Sequence, residues 1–198
     1  MLSHDRSDAE DIKFKKGSFI TAVNKLNYAF RDIDSFTKIK LFQTYCTAWY
    51  GCQSWQLGTK DAHKLEIEWR KSVKRILGLP VRTRSVLLPA LAGRTFHQQH
   101  CDRVKKFLND MLQSENAVIK YITTRAQLYT YGPIGKNLVY LRNRRSGDRI
   151  PSGDQLRIDA KIEQIRELIR VREGSDHIEL LDSDQCNDIL IHICTEDI

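Results

Sequence analysis

Apolar positions along this chain recur at three- and four-residue spacing almost from end to end, the period of an amphipathic helix. Ile12, Phe19, Val23, Leu26 and Phe30 form a first stripe, which Asp8 or Asp11 can cap. Ile39, Phe42, Tyr45, Cys46, Trp49 and Tyr50 form a second, opened by a capping Ser35 and closed at Gly51. A third helix, capped by Thr59, runs to Gly78 and stops before Pro80. A short segment around 87–91 ends at Gly93. It is followed by a long helix over 96–112, with Val104, Phe107, Leu108 and Met111 on one side, and another over 117–128. Over 131–154, Gly132, Pro133, Gly135, Gly147, Pro151 and Gly153 read as a linker. Beyond it Leu156, Ile158, Ile162, Ile165, Leu168, Ile169 and Val171 define a strongly amphipathic helix, and a last acidic helix ends near Cys194. Strand-type alternation is confined to a short excursion around 178–181. The pattern predicts an all-α fold. It is an irregular multi-helix bundle with a small C-terminal helical appendage, divided into 1–35, 36–130, the linker 131–154, and 155–198.

The third helix carries the sharpest pattern. At about 100° per residue, Ala62, Leu65, Trp69, Val73, Ile76 and Leu77 share one face. Lys64, Lys71 and Arg75 fall together on the opposite side, with Glu68 between them and Arg70 and Lys74 flanking; Arg82 and Arg84 continue the charge past the helix end. Two readings stay open. The ridge can follow a phosphate backbone, each neutralised phosphate releasing counterions, or it is a solvated face on which Glu68 pairs with Lys64 or Lys71.

Composition tilts that choice. A chain of 198 residues with 41% apolar and 29% charged residues can bury the core of one domain, or of one domain with a small appendage. The net charge of +7 conceals an asymmetry: all 32 Lys and Arg lie at or before Arg172 with 17 of the 25 acids, an excess of fifteen, and the last 26 residues hold eight acids and no base. A body this basic points to a polyanionic partner, with an acidic end able to shield it. The five cysteines form no CxxC pair and no secretory leader pattern precedes them, which predicts reduced thiols and an intracellular protein, in nucleus or cytoplasm. No apolar run approaches the roughly 20 residues of a membrane span.

Little in the chain suggests chemistry. His97, His100 and Cys101 share a helix side but lack a fourth ligand at defined spacing, and Cys186, His192 and Cys194 are looser still. Asp182 and Asp184 precede the final helix, where capping is the simpler reading, and Asp32 and Asp34 lie in a turn. Phosphate-cradling and nucleophile-elbow motifs are missing. No catalytic, metal or cofactor site is expected. Trp49, Tyr50 and Trp55 either pack a core or stack bases, and Trp55, in the loop after Gly51, is the candidate for base stacking.

A run of residues also carries a family resemblance. Lys40, Leu41, Phe42, Tyr45 and Cys46 lead to Tyr50, Gly51 and Trp55. Trp69, Arg70, Lys71, Lys74, Arg75, Leu77, Gly78, Leu79 and Pro80 follow, then Thr83, Leu87, Leu88 and Pro89. This pattern resembles the C-terminal part of reverse transcriptases from non-LTR, LINE-type retrotransposons, especially the jockey-like group of animals. Lys74 stands where that family has the first of two arginines. The match is most specific over 36–91 and looser over 1–35 and the C-terminal third. Ile193, Cys194 and Thr195 look like the close of such a reading frame.

The resemblance implies a thumb-like helical domain that clasps an RNA template and an RNA–DNA duplex beside a polymerase palm. Lys64, Arg70, Lys71, Lys74, Arg75, Arg82 and Arg84 would grip phosphates, while Trp69 and Trp49 fix the helices that present them. The palm's Tyr–x–Asp–Asp carboxylates, which hold divalent metal such as Mg, have no counterpart here, and neither does the endonuclease. The expectation is a truncated element entered after the palm, not an enzyme by itself, although its parent family is an RNA-directed DNA polymerase. The rival expectation is a helical protein-interaction module or a non-functional remnant, presenting the 156–171 stripe and the acidic tail.

Overall fold

The computed structural model describes residues 8–144, 152–173 and 183–195. The described residues are all-α: α1 (Ala9–Ala29), α2 (Ser35–Leu41), a π-helical turn (Phe42–Cys46), a 3-10 turn (Cys52–Ser54), α3 (Lys60–Ile76), α4 (Leu88–Ala92), α5 (Phe96–Gln113), α6 (Ala117–Leu128), α7 (Pro133–Arg144), α8 (Ser152–Glu173) and α9 (Ser183–Thr195). The strand excursion expected at 178–181, Asp182, and the linker residues 145–151 lie outside the described residues. The chain forms two compact units, each assembled from separate stretches: Met1–Ser18, Ala48–Ile67 and Phe96–Asp148 in the first, Phe19–Thr47, Glu68–Thr95 and Arg149–Ile198 in the second. They do not follow the consecutive segments expected from the sequence.

The first unit is built on aromatic rings. Trp49 meets Phe96 edge-on at 4.9 Å, Phe96 stacks on His100 at 5.5 Å, and Trp55 stands 5.8 Å from His100. Edge-to-face and offset geometries of this kind add to what burial alone contributes. Two N–H groups beside the rings are held by acids at the start of α1: Trp55 Nε1 donates to Asp11 Oδ2 at 2.7 Å and Gln56 N to Asp8 Oδ2 at 2.8 Å. The buried Asn137 accepts from Leu57 N at 2.7 Å and donates to the Trp55 carbonyl at 3.0 Å, serving loop groups that would otherwise be orphaned.

Asn137 belongs to a helix where a linker was expected. Pro133 opens α7 at its first turn, where a missing N–H is harmless. Ile134, Leu138 and Leu141 then pack on a cluster of Leu57, Cys101, Val104 and Leu108. Gly135, which reads as a breaker, is buried in so close an approach that a Cβ there would sit 2.7 Å from Thr130 Cα.

The second unit is mostly aliphatic. Its aromatic spine is Phe19 against Phe42 at 5.9 Å and Phe42 against Trp69 at 6.4 Å. Val73, Leu77, Leu87 and Leu88 are buried here, and α8 adds Ile158, Ile162, Ile165 and Ile169. Leu190 and Cys194 of α9 are buried in the same unit, and the Cys194 carbonyl accepts from Arg84 N at 3.1 Å. The C-terminal helices, expected as an appendage, are therefore part of this core, and the stripe from Ile158 to Ile169 packs internally.

The second predicted helix also differs. Asp34, not Ser35, caps α2 by accepting from Thr37 N at 2.8 Å; hydrogen bonds from Thr37 hold its carboxyl below the usual range. Ser35 N instead donates to both Glu173 carboxylate oxygens, at 3.0 and 3.1 Å, and Ser35 Oγ donates to the same group. α2 ends at Leu41, and the wider π turn keeps Phe42 and Cys46 buried while Tyr45 leaves the stripe at 70% exposure. Tyr50 is likewise exposed.

Candidate nucleic-acid interface

The predicted cationic ridge rests on a firmly terminated helix. Trp69, Val73 and Leu77 are fully buried on one face of the C-terminal half of α3. Gly78 takes φ +60°, with Leu79 N bonded to the Lys74 carbonyl at 2.8 Å and Gly78 N to the Arg75 carbonyl at 3.3 Å. This is a Schellman ending, which a residue with a Cβ adopts only with strain. Arg172 of α8 completes it, donating to the Gly78 carbonyl at 3.0 Å and the Leu77 carbonyl at 2.8 Å. Those carbonyls lie beyond the helical ladder and need outside donors.

Six of the seven predicted phosphate contacts follow from this support. Lys71 has a side chain 62% exposed and pairs with Glu68 at 3.2 Å. Arg75 is exposed, 3.3 Å from Asn24 Oδ1 on α1. Arg70 and Lys74 are half-buried neighbours at i, i+4. Burial first, and then Arg70, pulls the Lys74 amine below its ordinary pKa, with Cys194 opposing. Lys74 Nζ donates to the Val81 carbonyl at 2.6 Å, drawing the turn closed by Thr83 N and the Pro80 carbonyl onto the end of α3. Arg82, exposed, and Arg84, half-buried, lie on either side of buried Thr83 in that segment. Lys74 is thus a strut as much as a surface charge.

Lys64, the seventh, belongs to the first unit, 62% exposed and 2.8 Å from Asp61. Glu68 pairs with Lys71 and Asp61 with Lys64, so the solvated-face reading is partly realised. Exposed pairs at this spacing contribute only about 0.3–0.5 kcal/mol, and exchanging a carboxylate for a phosphate costs little.

The base-stacking role expected of Trp55 is corrected. Its ring is 1% exposed among Phe96 and His100, with its N–H held by Asp11, so neither face is open to a base. Trp69 of α3 is buried against Phe42, and Trp49 is buried against Phe96 in the first unit. His97 Nε2 lies 3.5 Å from Cys101 Sγ, while His100 sits in the aromatic core, and among the described residues no three metal-binding side chains converge. Burial lowers the His100 pKa to about 4 and raises the Cys46 and Cys52 thiols to about 11, leaving these groups uncharged at neutral pH. Asp184 and Cys186 lie in α9. No described helix is long and apolar enough to cross a membrane.

Sequence reasoning missed Arg172 and Asn24, which hold the end and flank of this surface from 94 and 51 residues away, and Glu173, which holds the start of α2 from 138 residues away. No local periodicity points to them. Comparison with protein-family models, curated proteins and solved structures returns no match.

Proposed function

We propose that this chain binds nucleic acid by its phosphate backbone, using the cationic face of the C-terminal half of α3 and the segment after it. The observation that carries the reading is that Lys71, Arg75 and Arg82 stand in solvent, the first two across α3 from its fully buried face, with Arg70, Lys74 and Arg84 half-buried. Contacts of this type position a nucleic acid and read no sequence. Together with the resemblance over 36–91, this supports a thumb-like segment of a LINE-type reverse transcriptase, clasping RNA template and RNA–DNA duplex without performing the polymerisation. The interaction-module alternative has lost its best surface, because the isoleucines of α8 are buried in the second unit.

The test is a salt titration of binding to a labelled RNA–DNA hybrid. The parent chain should bind with an affinity whose logarithm falls linearly with log salt. Lys71→Glu with Arg75→Glu should weaken it about tenfold and flatten the slope by about two. An unchanged slope in the double variant would sink the proposal.

A further inference from the structure

The second surface lies in the first unit, far along the sequence from α3. From Asn116 to Gly147 the chain contains no Asp or Glu, yet carries Lys120, Arg125, Lys136, Arg142, Arg144 and Arg145. In a protein with 25 acids, so long an acid-free and basic stretch points to an anionic partner. The same stretch is rich in exposed aromatic surface. Tyr121 is 62% exposed, Tyr129 57% and Tyr131 87%.

Tyr121, Arg125 and Tyr129 lie at i, i+4 and i+8, forming one row on α6 and its end. The Arg125 guanidinium stands 5.0 Å from the Tyr129 ring centre and 5.9 Å from that of Tyr121, and donates to the Tyr121 hydroxyl at 3.0 Å. It therefore spaces the two rings and holds positive charge between them. Beside this row runs a groove of about 290 Å³, bounded by Ile122 and Ala126 and by the first turn of α7 at Gly132–Gly135. That turn is the end at which a helix dipole favours anions.

Burial does not explain the row. Of α6 only Thr123 is buried, its hydroxyl turned back to the Ile119 carbonyl at 2.8 Å. Two tyrosine faces separated by a cation, in a groove without carboxylates, match what successive unpaired bases need: flat partners for the rings and cations for the phosphates. An apolar helix from a protein partner would use the aliphatic part of this face and leave the acid-free charge unexplained.

The geometry points to a binding site for single-stranded nucleic acid on the α6–α7 hairpin, with Tyr121 and Tyr129 as stacking platforms and Arg125, Lys120 and Lys136 as phosphate or base-edge contacts. The site is independent of the α3 face and holds whether or not that face grips a duplex.

The experiment measures binding of the full chain to fluorescein-labelled oligothymidylate and, separately, to a blunt duplex. Tyr121→Ala with Tyr129→Ala should weaken oligothymidylate binding at least tenfold, while Tyr121→Phe with Tyr129→Phe stays within about twofold. Both tyrosines are exposed, so the helical circular dichroism should be unchanged. Duplex affinity should not move. Parent-like oligothymidylate binding by the alanine pair overturns the proposal, as does a parent chain that ignores the single strand. Equal losses on both probes overturn it too, since they would mark a general electrostatic surface. The α3 proposal fails separately, on duplex alone, through the Lys71 and Arg75 reversals.

Discussion

Both α3 and α6 present cations to solvent, but they are anchored in opposite ways. The C-terminal half of α3 buries one whole face, ends in a Schellman turn, and has that turn clamped by Arg172. α6 buries one threonine and leaves its largest side chains outside. The charges of α3 stand beside Glu68, whereas no carboxylate occurs within the α6–α7 stretch. Charge alone would call both surfaces the same. Anchoring and aromatic content separate them: a rigid ridge suits a duplex of fixed shape, and an open tyrosine row suits a strand whose bases are free to turn.

The contrast is broken most severely from beneath. Trp69→Ala should destabilise the second unit by about 3–5 kcal/mol through lost burial and the cavity left under α3. In urea unfolding the loss should be accompanied by collapse of hybrid-duplex affinity. If stability falls while the duplex affinity and its salt slope stay, the ridge is not the binding surface.

A slightly smaller effect belongs to the first unit alone. His100 takes its proton at about 4 when folded and near 6.5 when unfolded. Below pH 6.5 the unfolded chain gains a proton that the folded chain refuses. Stability should therefore be complete above that pH and decline as pH falls toward 4, by about 2 kcal/mol at pH 5. Urea midpoints at pH 7 and 5 test the decline, and NMR titration of the ring below pH 5 assigns it. A His100 ring that titrates near 6.5 in the folded chain contradicts the buried placement.

The third effect is smaller and confined to the α3 end. Arg172→Ala leaves the Leu77 and Gly78 carbonyls without their donors and should cost about 1–2 kcal/mol. Amide exchange should quicken around residues 76–79 and leave α6 unaffected. Equal quickening in α6 would remove the distinction in anchoring.

The sequence made the face of α3 legible because six apolar positions over four turns leave little freedom in phase. Where the reading failed, tertiary contacts had overruled local signals. Gly135 and Pro133 look like punctuation, yet one is a tight helix contact and the other a helix start. Ser35 and Asp34 are both good caps, and the choice between them involves a glutamate 138 residues away. Trp55 follows a glycine in a loop of no period, so its burial depends on Asp11, Phe96 and His100, which lie far off in sequence. The tyrosine row had a signal in plain view, the missing acids from 116 to 147, but half of that stretch carried the look of a linker.

The last two described residues of α8 have a practical consequence for where this chain can be cut. Arg172 holds the end of α3 and Glu173 holds the start of α2. A protease nick or a stop codon one residue earlier or later therefore loosens different helices, although both remove the same acidic stretch. α9 follows, with Leu190 and Cys194 buried, so trimming the tail cannot be a pure change of charge. Any role of the acidic end as a competitor for the basic surface has to be examined with the backbone whole, by neutralising exposed acids such as Asp188.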